Sequence, residues 1–218
     1  TGRSPALMLG TNTAMVDITG PAAATVRLGT ADDPNTPANE AMQSLQGTGL
    51  SRFDATGFKG TLIVEDMADV DSNDFHFESG SGHTELTLGD GMQLDDKDQD
   101  DDYQGWDIDI SGAAAESVVT LTRDVNLDDD GILAIDLGAQ GILRIDGDVA
   151  IDDMIAFRVI DGRIDVTANS TLAMTAQQAD NFATRLTGKG DIDVEAVAGA
   201  QTVLGIDGDD TIDGGDGN

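Results

Sequence analysis

Glycines and carboxylates in a fixed order are the residues of this chain best suited to chemistry. In GIDGDDTIDGGDGN, Gly205 to Asn218, the nine-residue pattern G-G-x-G-x-D-x-U-x, with U a large apolar residue, reads twice in frame. Gly205 takes position one, Gly208 position four, Asp210 position six and Ile212 position eight. Gly214, Gly215 and Gly217 then open a second copy, and Ile206 stands where a second glycine belongs in the first. Glycine permits a tight turn whose carbonyls can point at a cation, the aspartate adds a charged oxygen, and the apolar residue enters a core. A hard ion taking six to eight oxygens at flexible geometry, Ca²⁺, suits such a turn. The pattern stops inside its second copy, which reads as a cut through a repeat. A plain Asp/Gly-rich tail is the competing reading.

Other acidic clusters allow the same chemistry. DDKDQDDDYQGWD places Asp96, Asp98, Asp100 and Asp102 at alternate positions, with Asp107 twelfth counting from Asp96. This approaches an EF-hand loop. Asp101 replaces the usual glycine, an aspartate replaces the bidentate glutamate, and flanking helices are not evident. Carboxylates on a turning loop can still converge on one Ca²⁺; the alternative is a solvated acidic loop. DVNLDDDG offers Asp124, Asn126 and Asp128 at similar spacing, and DVDSND offers Asp69, Asp71 and Asn73. In IDGDVAIDD, Asp146, Asp148, Asp152 and Asp153 would either come together on neighbouring turns or stand as solvated acids. His76 alternates with Phe75 and Phe77, so it projects from the polar face of a strand as a surface residue. Tyr103 and Trp106 beside the acidic loop suit either a sugar-stacking platform or a cover for the loop's apolar underside.

Composition narrows the function. The 218 residues carry 11 Lys+Arg against 42 Asp+Glu, a formal charge of −31, which opposes compaction by self-repulsion. Disorder fits poorly with 39% hydrophobic residues in short regular runs, so bound cations are the simpler resolution. Nucleic acid is excluded as a partner because no basic patch exists to meet phosphates. Cysteine is absent, which removes disulfides and thiolate metal sites and is compatible with an extracellular setting. Two histidines make a His-rich metal site improbable. No apolar run reaches the ~18 residues that cross a bilayer. The opening TGRSPALMLG has no signal-peptide pattern and reads as the interior of something longer.

The elements that must position these turns are short. AMVDITG, TVRLGT, GTLIVED, TELTLGDG, WDIDISG, SVVTLTRDVNL, GILAIDLG, GILRIDGDVAID, AFRVIDGRIDV, STLAMTA and GDIDVEAV alternate with period two between Gly, Asp or Asn breaks. GILAIDLG is echoed ten residues on by GILRIDGD, a spacing that suits successive sides of one coil. Stacked coils would bury Ile132, Ile135, Ile142, Ile145, Ile151, Ile155, Val159, Ile164, Val166 and Leu172 along one axis. The expected fold is therefore all-β, a β-solenoid or parallel β-helix-like stack. An antiparallel β-sandwich uses the same alternation and is the alternative. Aromatics at 4% favour thin coils with aliphatic ladders. Two short helices are expected, Pro37–Gln46 and Ala176–Leu186, the latter with Ala179, Phe182 and Leu186 on one face. Thr30–Asn39 reads as a loop. The organisation expected is an N-terminal β segment over 1–36, a main β domain over 37–202, and the start of the calcium repeats over 203–218.

The terminal glycine–aspartate turns resemble the repeats-in-toxin (RTX) family of calcium-binding bacterial proteins secreted by the type I route. The likeness rests on Gly205–Asn218 and implies the start of a β-roll. It implies that Asp207, Asp209, Asp210 and Asp216 sit in ligating turns, with Asp210 foremost, and that calcium lies between successive turns. LAMTAQQADNFATRL followed by TGKGDIDVEAV is similar in order and composition to segments of large secreted surface proteins, including S-layer proteins and adhesins.

The expected function is a calcium-dependent structural segment of a secreted, extracellular cell-surface protein. It would self-associate into an S-layer or filament, or serve as an adhesin spacer that meets cell-surface polysaccharide. β-Helical polysaccharide lyases and epimerases are the enzymatic alternative. Basic residues are scattered, so a surface this acidic would repel uronates, and no G-x-S-x-G, H-E-x-x-H or P-loop occurs. Arg144, Arg158 and Arg163 along one face would form ion-pair ladders with aspartates. The chain is therefore expected not to be an enzyme.

Overall fold

The computed structural model describes residues 15–28, 50–64, 74–88, 93–94, 105–114, 116–122, 126–127, 132–152, 154, 156–195 and 203–213. In chain order the elements are β1 (Met15–Asp17), β2 (Thr25–Leu28), β3 (Arg52–Asp54), β4 (Thr61–Val64), β5 (Asp74–Glu78), β6 (Thr84–Leu88), β7 (Gln93–Leu94), β8 (Gly105–Asp109), β9 (Val118–Thr122) and β10 (Asn126–Leu127). There follow β11 (Ile132–Asp136), β12 (Ile142–Asp146), β13 (Asp148–Ala150), β14 (Ala156–Ile160), β15 (Arg163–Val166), β16 (Thr171–Thr175), α1 (Ala176–Phe182), β17 (Leu186–Gly188), β18 (Asp191–Glu195) and β19 (Thr211–Ile212).

Among the described residues the fold is all-β with one helix, and every strand pair is parallel. The antiparallel ladders of a sandwich do not occur among them. One sheet runs β1-β3-β5-β8-β11-β14, a second β17-β15-β12-β9-β6-β4-β2, and a third β13-β16-β18-β19; β10 and β7 pair separately. The chain visits the sheets in turn. β11, β12 and β13 fall in the first, second and third, and β14, β15 and β16 repeat the cycle. The echo GILAIDLG/GILRIDGD is two successive sides of one such cycle, on β11 and β12.

Parallel, in-register stacking places like side chains over one another at the strand spacing of about 4.8 Å. The first sheet's inward column is Val16, Phe53, Phe77, Ile108, Ile135 and Val159. The second sheet's is Leu28, Val64, Leu86, Val119, Leu143, Ile164 and Leu186. These residues belong to one continuous buried core. Aromatics stack in the same way: Phe53 on Phe77 at 5.1 Å between ring centroids, and Phe75 on Trp106 at 4.7 Å. Burying each such side chain contributes about 1.5–3 kcal/mol, so every cycle adds its own increment of stability.

Several expectations need correction. Ile132 is not in the core; Leu133 points in instead, because the alternation of β11 is phased on Leu133 and Ile135. The helix ends at Phe182, short of Leu186. Thr175 caps its start in a capping box with Gln178, and the chain turns after Ala183, with the Arg185 N–H donating to the Phe182 carbonyl at 2.7 Å. Leu186 is then free to pair with Ile164 as a strand residue. Arg158 lies in the first sheet, whereas Arg144 and Arg163 lie in the second, so the three do not share a face. The Pro37–Gln46 helix, the Thr30–Asn39 loop and Ile155 lie outside the described residues.

Candidate functional site

Two acidic features are built by the stacking. The first is a column at the end of the first sheet, where Asp17, Asp54, Glu78, Asp109 and Asp136 follow one another in register. Each closes the corner leading towards the second sheet. Asp54 Oδ1 accepts from the Thr56 N–H at 3.0 Å and the Thr56 hydroxyl at 2.7 Å. Asp109 Oδ1 accepts from the Ser111 N–H at 2.8 Å and hydroxyl at 2.6 Å, and Asp136 Oδ1 from the Gly138 N–H at 3.0 Å. An acid two residues before a Thr, Ser or Gly donor is the common device. The sequence shows it as D-I-T-G, D-A-T-G, D-I-S-G and D-L-G-A, a repeat legible once the turns are aligned. The Thr56 hydroxyl, then its N–H, hold the Asp54 carboxyl below its usual value; burial opposes them, and Arg52 adds to the lowering.

Beside this column the outer face of the first sheet carries a polar chain. Arg52 Nη2 reaches Glu78 Oε2 at 3.0 Å and Asp54 Oδ2 at 3.3 Å. His76 Nδ1 lies 3.2 Å from Asp107 Oδ2, and Nε2 lies 3.6 Å from Glu78 Oε2. His76 is thus on the polar face, as its alternation predicts. Asp107 is an exposed residue of β8 facing that histidine.

The second feature is the C-terminal turn. Val194 pairs with Ile212, and Asp193 with Thr211, an offset of 18 residues. The turn before β19 is tied to β18 by carboxylates at the same offset. Asp210 Oδ1 accepts from the Ile192 N–H at 3.1 Å and its Oδ2 from the Ile206 N–H at 2.8 Å; Asp191 Oδ1 accepts from the Asp209 N–H at 2.8 Å. Gly208 packs so closely on Gly190 that a Cβ would collide with the Gly190 carbonyl oxygen. T-G-K-G-D-I-D-V-E, residues 187–195, therefore stacks beneath G-I-D-G-D-D-T-I-D, residues 205–213, with Gly190 under Gly208 and Asp191 under Asp209. The upstream copy was a legible signal that reading the tail alone misses.

Of the metal-ligand residues expected from sequence, Asp207 and Asp209 are exposed in this turn and Asp210 is half-buried. Asn126 lies in β10, paired with Gln93. Asp96, Asp98, Asp100, Asp102, Asp124, Asp128 and Asp216 lie outside the described residues, as do Asp69, Asp71, Asn73, Asp153 and Tyr103. Trp106 is 1% exposed and stacks on Phe75, so it supplies core and not a sugar platform. Among the described residues no group of three or more His, Asp or Glu side chains converges to hold a metal. Asp207 and Asp209 carry exposed carboxylates in the C-terminal turn, oxygen donors of the type a hard cation takes. Among the described residues no helix is long and apolar enough to cross a membrane. No protein-family model, curated protein or solved structure matches the chain.

Proposed function

We propose that this chain is a calcium-dependent structural segment of a secreted bacterial cell-surface protein, built as a parallel β-solenoid that runs into a calcium-binding β-roll. The observation that carries the reading is the short last cycle. From β11 to β18 the paired residues lie 20 to 24 positions apart, as in Leu133 with Phe157 and Leu172 with Ile192, whereas Val194 pairs with Ile212 only 18 on. Eighteen residues are two nonapeptides, each long enough for one short strand and one turn, which is what a coil with two sides requires. The glycine–aspartate repeat sits in that last cycle.

The charge of −31 gives the mechanism. Outside the cell, Ca²⁺ offsets the aspartate-rich turns, and binding free energy becomes folding free energy. Where free calcium is scarce, self-repulsion holds the chain extended, a state suited to export through a narrow channel. The role is structural and not catalytic, and calcium bridging acidic faces of neighbouring copies assembles a surface layer. Circular dichroism with and without EGTA tests this. The β signal is expected to fall on chelation and to return with Ca²⁺; a spectrum indifferent to chelation overturns the reading. Electron microscopy then separates an ordered calcium-dependent layer from a monomeric adhesin rod.

A further inference from the structure

The helix occupies a strand's place. In the two preceding complete cycles, the segment between a third-position strand and a second-sheet strand is a strand of the first sheet. β11 lies between β10 and β12, and β14 between β13 and β15. In the next cycle that slot, between β16 and β17, is filled by α1. Among the described residues the first sheet accordingly ends at β14, while the second continues to β17 and the third to β19.

An ended parallel sheet leaves a row of unpaired carbonyls and N–H groups, a template for any further strand. Backbone groups of a strand alternate sides. The Ile160 carbonyl accepts from the Leu137 N–H, on the β11 side, so the Val159 carbonyl faces the open edge. Arg185 meets that edge. Its Nη2 donates to the Val159 carbonyl at 3.0 Å and its Nη1 to the Asp161 carbonyl at 2.7 Å. The guanidinium lies 5.6 Å from the Phe182 ring centre, and the Phe182 ring in turn meets Phe157 of β14 edge-on at 6.0 Å. One planar fork thus covers two edge carbonyls, a geometry lysine cannot reproduce.

We propose that Thr175–Arg185 is a built-in terminator of the first sheet. It blocks the addition of a further strand to β14, whether from this chain or from a second copy, and leaves the other two sheets free to continue as a two-sided roll. The key contact is the Arg185 fork on Val159 and Asp161.

The probe is a fluorescein-labelled peptide of residues 132–137, ILAIDL, the strand β14 already pairs with on its other side; fluorescence anisotropy reads its binding to the full chain. Arg185→Ala is expected to bind the peptide at least about tenfold more tightly than the unaltered chain does. Thr187→Ala, which removes a hydroxyl contact to the Ile164 carbonyl in the second sheet, away from the β14 edge, is expected to bind no better than the unaltered chain. Arg185→Gln, too short to span both carbonyls, decides the matter if Arg185→Ala does not fold. Equal binding by the Arg185 and Thr187 variants, or no gain in a folded Arg185 variant, overturns the proposal.

Discussion

Asp210 holds the last turn to the body of the protein, and changing it to Asn isolates that link. Its two carboxylate oxygens accept from Ile192 and Ile206 N–H groups at 3.1 and 2.8 Å. An amide keeps one acceptor oxygen and turns an NH₂ towards the other N–H. One charge-assisted bond is lost, worth roughly 1.5–3 kcal/mol, and the survivor becomes a neutral bond about half as strong. Asp210 is half-buried, so the low end of the range applies, for a total near 2 kcal/mol, about a thirtyfold change in an opening equilibrium. The Asp191–Asp209 bond and the short β18–β19 ladder remain, but β19 has two residues and Ile212 is 47% exposed. The loss should appear as local opening, not global unfolding. Hydrogen exchange followed by mass spectrometry is the assay. Peptides spanning 203–213 and the Ile192 amide are expected to exchange about thirtyfold faster in Asp210→Asn, with residues 171–175 unchanged. Unchanged exchange at 203–213, or equal acceleration across the chain, would refute the assignment.

Two further outcomes follow from the first sheet. Thr56→Ala removes the leading cause of the lowered Asp54 pKa, so the Asp54 carboxyl should titrate closer to its usual value by carbon-detected NMR. A lowered carboxyl stabilises the fold above its unfolded-state value and loses that contribution as pH falls through its folded value. The variant should therefore be less stable at neutral pH, with the difference shrinking below about pH 4. Phe77→Ala removes a fully buried ring stacked on Phe53 and should cost about 3–5 kcal/mol in urea unfolding at an unchanged slope; a cost under about 1 kcal/mol would contradict the continuous core.

Much of the architecture was legible because strand alternation is local. Phe75 and Phe77 flanking His76, or Leu143 and Ile145 flanking Arg144, declare their two faces without knowledge of partners. What stacks on what is not local. Asp54, Glu78 and Asp109 lie in separate turns, and only the register of β3, β5 and β8 makes them a column. Ile132 misled because an apolar run, Ile132–Leu133, offers both phases; the partners of β11 on either side decide it. Leu186 misled because its spacing from Phe182 fits a helix, while its pairing with Ile164 is longer-range and prevails. The tail's nonapeptide was legible, and the segment beneath it was harder to find. It was TGKGDIDVE, 18 residues back, whose glycines and acids match at only some positions.

The corner turns explain why the acid cannot be shed. Asp54, Asp109 and Asp136 each close a corner through a carboxylate oxygen, and the uncharged amide of asparagine would accept those donors more weakly. Parallel stacking then sets each such charge about 4.8 Å from the next, where two like charges repel by roughly 1 kcal/mol even in water. The device that ends a strand therefore accumulates repulsion along the axis with every cycle added. Glu78, which breaks the Asp rule, sits where Arg52 supplies a positive partner. On the proposed function, a long stack of this design takes either such cations at every corner or ions from solution. With 11 Lys and Arg set against 42 Asp and Glu, the chain does not carry enough of the former.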